Sequence, residues 1–77
     1  MLVAIQSRMA RSALRWGVRD LARNAGVAVD TVARLERGDT TLQPRTLAAI
    51  RAALEAAGIE FIDQDGGGPG VRLRTPL

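Results

Sequence analysis

The sequence contains no cysteine, histidine or tyrosine, and its aromatic residues are limited to one tryptophan and one phenylalanine. The absence of cysteine excludes a disulfide framework and a thiolate metal site. The absence of histidine removes the commonest metal ligand and the usual general base near neutral pH. Two aromatic side chains are too few for a platform that stacks single-stranded bases. We therefore expect neither an enzyme nor a protein that depends on a metal or a cofactor.

Lysine is absent as well, so all eleven basic side chains are arginines, against eight carboxylates. The resulting charge of +3 is uneven: residues 1–58 carry nine arginines and five carboxylates, a net +4, whereas residues 59–77 carry a net −1. A cationic excess in the larger part is expected of a polyanion-binding module, although many proteins with this charge bind no anion. Charge alone therefore leaves nucleic-acid binding open.

Long hydrophobic runs are also missing. The apolar start of the chain, residues 1–5, is followed at once by Gln6, Ser7 and Arg8, so it is too short for a secretory segment or a membrane span. We expect a soluble cytoplasmic protein without a membrane partner. A length of 77 residues predicts one small globular unit, with a helical domain over residues 1–58 and a tail over residues 59–77.

Glycine and proline divide the first 58 residues into segments that have the hydrophobic period of an α-helix. The predicted helices cover about residues 5–15, 18–24, 29–37 and 44–57. Gly26 and Gly38 are expected to end the second and third helices, and Pro44 suits the first position of the fourth. The stripe of the first helix that is expected to face the core consists of Ile5, Met9, Ser12, Ala13 and Trp16.

After Gly58 the hydrophobic period changes from about 3.6 residues to 2. This change predicts two strands over residues 59–63 and 71–74, joined by a turn rich in glycine. The pattern leaves the register open, with either Phe61 and Leu73 facing the helices while Ile62 and Val71 point elsewhere, or the reverse. An isolated hairpin is marginally stable, so it must pack on the helices, pair with another chain, or do both.

Residues 18–38 combine the features of two short helices that cross at a sharp angle. Ala22 is the small residue at the crossing, and Gly26 lies in the turn four residues later. The apolar residues expected to face inward are Leu21, Ala25, Val27, Val32 and Leu35. This segment resembles the helix-turn-helix of lambda-repressor-like (XRE-family, Cro-type) DNA-binding proteins, as does the loop, proline and apolar helix after Gly38. The resemblance covers about residues 5–58 and implies a mainly α, compact four- to five-helix domain, here followed by a C-terminal two-stranded β-hairpin.

The resemblance also implies that the third helix enters the major groove of double-stranded DNA. The residues that it implies as base contacts are Val29, Asp30, Thr31, Ala33 and Arg34. Those that it implies as phosphate contacts are Arg19, Arg37, Thr40 and Arg45. Arg11 and Glu36 resemble the family's structural pair between the first helix and the end of the third. Arg34 has the chemistry to donate two hydrogen bonds to guanine, whereas Asp30 is either a base contact or a residue that interacts with the helix dipole.

The sequence departs from the family pattern at the start of both helices. Val18 stands where the family has a polar DNA contact, and Ala28 replaces a Ser or Thr cap, which makes the reading surface unusually apolar. Two functions therefore stay open. One is a transcriptional regulator, a repressor or modulator, that binds specific DNA sequences. The alternative is a protein-interaction module, for example an antitoxin or an adaptor, with weak or lost DNA binding.

The hairpin is expected to build a homodimer, because a two-stranded sheet leaves edges that symmetric pairing covers. The residues expected at the interface are Phe61, Ile62, Val71 and Leu73. A dimer would place two third helices about one turn of DNA apart. The alternative is that the hairpin only covers the helical core. The chain has no room for a ligand-sensing domain, so we expect no small-molecule ligand, and a protein partner stays open.

Overall fold

The computed structural model describes residues 2–62 and 66–74. Its elements are α1 (Ala4–Leu14), α2 (Val18–Ala25), α3 (Val29–Glu36), α4 (Pro44–Ala56), β1 (Ile59–Ile62) and β2 (Gly70–Leu73). The predicted mainly helical fold with a C-terminal antiparallel hairpin is confirmed, with four helices in the described residues. Asp63, at the predicted end of the first strand, lies outside the described residues, as do Gln64 and Asp65 of the predicted turn and residues 75–77 of the tail.

Local sequence explains where the helices end. Gly26 adopts the left-handed conformation, with φ of 69°, and the N–H of Val27 then reaches back to the carbonyl of Ala22 at 3.0 Å. This closes α2 and turns the chain sharply into α3. At the end of α1 the left-handed position is taken by Arg15, with φ of 58°, which a non-glycine residue adopts at a cost of about 1 kcal/mol. The helix therefore ends one residue earlier than predicted.

The core lies where the four helices meet the inner face of the hairpin. Its buried apolar residues are Leu2, Ala10, Leu21, Ala22, Val32, Leu35, Ile50, Leu54, Ile59 and Phe61. Phe61 also receives the guanidinium of Arg51 over its ring, 4.6 Å from the centroid, which joins α4 to β1. The hairpin therefore completes the hydrophobic core that the helices begin. No helix in residues 2–62 or 66–74 has the length and apolarity needed to cross a membrane.

The predicted inner stripe of α1 is only partly right: Ala13 and Trp16 pack against the core, but Ile5 and Ser12 do not. Ile5 is 50% exposed and Ser12 is also exposed, whereas Gln6, Ser7 and Ala10 are the residues that α1 buries. The two polar side chains can be buried because each is hydrogen-bonded: Ser7 donates to Glu36, and the side-chain amide of Gln6 donates to backbone carbonyls of the hairpin. A hydrophobic pattern cannot reveal such an inner face.

Of the two orientations left open for the hairpin, the first is right for Phe61, Leu73 and Ile62 and wrong for Val71. In the antiparallel pairing, Ile59 lies opposite Leu73 and Phe61 lies opposite Val71. All four side chains pack on the core, while Ile62 points outward and is 40% exposed. The error in the prediction was to separate Val71 from Leu73, because residues two apart on a strand lie on the same face.

Candidate nucleic-acid interface

Helix α3 has one buried face and one exposed face. Val32, Leu35 and Glu36 are buried, and the first two pack into the core against α2, where Ala22 is the small buried residue at the crossing. Val29 and Asp30 are exposed at the beginning of α3. The remaining predicted base contacts, Thr31, Ala33 and Arg34, are half-buried. The predicted base contacts thus lie on or beside the exposed face of α3, and the opposite face of this helix packs against the core.

The end of α3 is fixed to α1 by a buried ion pair. Arg11 donates from Nε to Oε2 of Glu36 at 2.8 Å and from Nη2 to Oε1 at 2.7 Å, a bidentate geometry. The Ser7 hydroxyl donates to Oε2 of the same carboxylate at 2.7 Å, and Nη2 of Arg8 donates to the Glu36 backbone carbonyl at 2.7 Å. The Glu36 side chain is only 6% exposed. α1 therefore sets the position of α3 through hydrogen bonds as well as through packing.

The Glu36 carboxylate stays ionised despite its burial. Burial alone raises the pKa of Glu36, but hydrogen bonds from Arg11 and Ser7 and the charges of Arg11 and Arg8 outweigh it, so the pKa lies below its ordinary value of 4.5. The hydrogen bonds that Arg11 donates to Glu36 in turn raise the pKa of Arg11. Both partners are consequently charged at neutral pH, and each satisfies the other.

Arg34 is held in a fixed conformation by the loop that follows α3. Its Nε donates to Oδ2 of Asp39 at 2.9 Å, and its Nη2 donates to the Thr41 hydroxyl at 3.3 Å. Asp39 is itself fixed, because its Oδ1 accepts from the Thr41 N–H at 2.8 Å and from the Thr41 hydroxyl at 2.6 Å. The Thr41 hydrogen bonds, followed by that from Arg34, lower the pKa of Asp39 to about 2.

The predicted phosphate contacts are all exposed. Arg19 lies near the start of α2, Arg37 directly after α3, Thr40 in the following loop and Arg45 near the start of α4. Arg45 donates from Nε to the side-chain carbonyl of Gln43 at 3.1 Å. Within residues 2–62 and 66–74, Arg19 and Arg37 form no ion pair.

The model of the helix-turn-helix domain family matches residues 4–61, which extend from the first residue of α1 into β1. The chain belongs to this family. A comparison with curated proteins finds no match. The match covers the α2–turn–α3 unit together with α1, which anchors it, and α4. The family assignment suggests a DNA-binding regulator, in agreement with the exposed, arginine-flanked α3.

An open cleft of about 480 Å³ separates α3 of the helix-turn-helix from the start of α4. Its polar lining brings together Thr31, Arg34, Thr41, Gln43 and Thr46. Sequence reasoning missed Asp39, Thr41, Gln43 and Thr46. A signal for Asp39 was present, because an acidic residue directly after the glycine that ends a helix lies close to the last helical turn. Nothing in the sequence pattern distinguishes Thr46 from an ordinary helix residue.

Proposed function

We propose that this helix-turn-helix protein is a transcriptional regulator that binds specific double-stranded DNA sequences as a homodimer, with α3 in the major groove. The observation that carries the proposal is that α3 is fixed on one side and open on the other. Packing and the Arg11–Glu36 pair hold its inner face, and its outer face is open and adjoins arginines on α2, the α3–α4 loop and α4. A rigid helix with a free outer face is what the groove requires.

The side chains on α3 differ in what they can read. Arg34 matches guanine, which presents two acceptors in the major groove. Val29 matches a thymine methyl group, and Asp30 can accept a hydrogen bond from a cytosine amine. Thr31 and Ala33 flank these residues. Arg19, Arg37, Thr40 and Arg45 would contact phosphates, which fix register without reading sequence.

Selection from a pool of random duplex DNA tests the proposal. We expect enrichment of an inverted repeat whose half-sites lie about 10 base pairs apart, centre to centre. We also expect binding to weaken steeply with salt, because each phosphate contact releases counterions. A pool that stays random after repeated rounds at low salt would contradict sequence-specific binding.

The outward side of the hairpin supports a homodimer. Phe61, Val71 and Leu73 pack on the core, so among the four predicted interface residues Ile62 supplies the exposed apolar side chain. The Arg74 N–H donates to the Gly58 carbonyl, so these two residues form a hydrogen-bonded pair of the antiparallel ladder. Because hydrogen-bonded and non-hydrogen-bonded pairs alternate along such a ladder, Phe61 and Val71 form a non-hydrogen-bonded pair. The backbone N–H and C=O of Phe61 therefore point away from β2. A second copy can pair with this edge across a two-fold axis.

The dimer is tested by sedimentation of Ile62→Glu beside the unmodified protein. We expect the unmodified protein to sediment as a dimer and Ile62→Glu as a monomer, because the variant places a charge at the centre of the proposed contact. Ile5→Glu is the matched control, since Ile5 is exposed on α1 and should leave the dimer intact. A dimer that persists in Ile62→Glu, or an unmodified protein that is monomeric at micromolar concentration, would contradict the proposed interface.

A second function, a protein-interaction module without DNA binding, is favoured by one observation. Ala28 and Val29 are exposed and apolar at the start of α3, so this part of the reading surface offers no polar side chain to DNA. Salt dependence separates the two functions, because phosphate contacts make affinity fall steeply between low and moderate salt. Binding to a protein partner with no measurable affinity for duplex DNA at low salt would favour the second function.

A further inference from the structure

The chain reverses direction directly after α3 and returns over its last turn. Gly38 makes this reversal possible with φ of 90°, a conformation that is strained for other residues. The N–H of Asp39 then donates to the backbone carbonyl of Arg34 at 3.0 Å. The carboxylate of Asp39 is thereby brought to the Arg34 side chain, although the two residues are five apart in sequence.

On the basis of the proposed function, we infer that Asp39 is a specificity-determining residue that positions Arg34 for the recognition of guanine. Asp39 does not contact the base in this arrangement. It acts through Arg34, as the carboxylate that selects one orientation of a long and otherwise mobile side chain. Thr41 supports it by donating two hydrogen bonds to the other carboxylate oxygen.

The hydrogen bonds from Arg34 to Asp39 and Thr41 leave free the edge of the guanidinium that binds guanine. Arginine has five N–H donors: one on Nε and two on each terminal nitrogen. Asp39 accepts from Nε, and Thr41 accepts one hydrogen bond from Nη2. The two N–H groups of Nη1 and one N–H group of Nη2 remain. One N–H from each of these nitrogens forms the terminal edge of the guanidinium, which can donate to O6 and N7 of a guanine. A side chain already held in one orientation loses less conformational entropy on binding.

The charge of Asp39 gives the inference a distinctive consequence. A carboxylate beside the DNA repels phosphates, so it lowers affinity for any duplex. Its orientation of Arg34 favours only duplexes that carry guanine at the matching position. Asp39 is therefore expected to lower the affinity for all duplexes and to raise the discrimination between guanine and other bases. A residue that only stabilises the loop would give neither effect, and a residue that only repels phosphates would give the first effect alone.

The test measures base discrimination in five proteins: the unmodified chain, Arg34→Ala, Asp39→Asn, Thr41→Val and Glu55→Gln. Glu55→Gln is the matched control, because it removes the same charge from an ion pair with Arg51 on α4, outside both α3 and the proposed dimer edge. Random-duplex selection first defines the guanine position that is lost in Arg34→Ala. Each protein is then titrated with the selected duplex and with a duplex in which that guanine is replaced.

We expect the unmodified protein and Glu55→Gln to prefer the guanine duplex by about 10-fold or more. Asp39→Asn should retain about 3-fold preference or less, while binding the replaced duplex as tightly as the unmodified protein or more tightly. Thr41→Val, which removes the hydroxyl that donates to Asp39 and accepts from Arg34, should show an intermediate preference. Thermal unfolding of each variant verifies folding, and Thr41→Val carries the test if Asp39→Asn does not fold.

The possible failures are distinguishable. Full guanine preference in Asp39→Asn, or equal loss of affinity for both duplexes, overturns the positioning role and leaves the proposed function intact. The absence of any enriched sequence, or a guanine preference that survives in Arg34→Ala, overturns both the reading role of Arg34 and the inference that depends on it.

Discussion

Two arginine–carboxylate pairs lie on opposite sides of α3, and they differ chiefly in their surroundings. Arg11 and Glu36 pair on the inner side, with 21% and 6% of their side chains exposed. Arg34 and Asp39 pair on the outer side, with 39% and 27% exposed. Both arginines donate from Nε to a carboxylate oxygen at nearly the same distance, 2.8 and 2.9 Å.

The comparison shows that the same pairing has different consequences inside and outside the fold. Removing one partner of a buried pair leaves an uncompensated charge in a poorly solvated place, so we expect the inner pair to contribute substantially to the free energy of unfolding. Water and salt screen the outer pair, which contributes little to the free energy of unfolding. We conclude that the inner pair fixes where α3 lies and propose that the outer pair determines what α3 recognises.

The largest expected effect is that of Arg11→Met on stability. The variant leaves Glu36 buried without its bidentate partner, which should lower the free energy of unfolding by about 3–5 kcal/mol. Chemical denaturation monitored through Trp16 fluorescence measures this change. Arg72→Met, in the exposed pair with Glu60, is the control and should change stability by less than about 1 kcal/mol. Similar small effects of both substitutions would remove the distinction between the buried pair and an exposed pair.

The acid dependence of stability follows from the lowered pKa of Glu36. The unfolded carboxyl titrates near its ordinary value of 4.5 and the folded one below it, so the unfolded chain binds more protons in this range. The stabilisation from Glu36 is therefore complete above about pH 4.5 and is lost as pH falls through the folded pKa. Denaturation between pH 7 and pH 3 should show a shallower acid decline in Glu36→Gln than in the unmodified protein. Parallel declines would contradict the shift.

Arg34→Ala should affect binding far more than stability. Loss of a bidentate base contact costs about 1–3 kcal/mol of binding free energy and relaxes the preference at one base position. Because the Arg34–Asp39 pair is only half-buried and reaches solvent, thermal unfolding should change little. Binding titrations with a selected duplex and its single-base variants measure the first effect. A loss that is equal for every sequence would reassign Arg34 to a phosphate contact.

Arg37→Ala should have the smallest and least selective effect. A phosphate contact contributes to every duplex alike, so affinity should fall by a similar factor for all sequences. The slope of log affinity against log salt should become shallower by about 1. Titrations at several salt concentrations measure this slope. A change in base preference would contradict the assignment of Arg37 to the phosphate backbone.

The helical order could be predicted from the sequence because its signals are local. Gly26, Gly38 and Pro44 mark the ends and starts of helices, and the apolar spacing between them has the helical period. The inner face of α1 could not be predicted in this way. Gln6 and Ser7 are buried because their partners lie in the hairpin and on α3, so the reason for their burial is absent from α1 itself.

Part of the candidate site could likewise be predicted from the sequence, and part could not. Arg34 and the other residues of α3 follow from the resemblance, and so does the pairing of Arg11 with Glu36. The pairing of Arg34 with Asp39 depends on the path of the backbone through Gly38, which hydrophobic spacing does not specify. The hairpin register was open for a related reason, since it depends on which face meets the helices.

Backbone amide NMR of the protein during titration with a mixed-sequence duplex at low salt tests most directly whether the outer face of α3 contacts DNA. We expect the largest chemical-shift changes at residues 28–37 and in the loop that includes Asp39 and Thr41, with reversal on addition of salt. Changes confined to β1 and β2, or spectra that do not change at any duplex concentration, would contradict a DNA-binding role for α3.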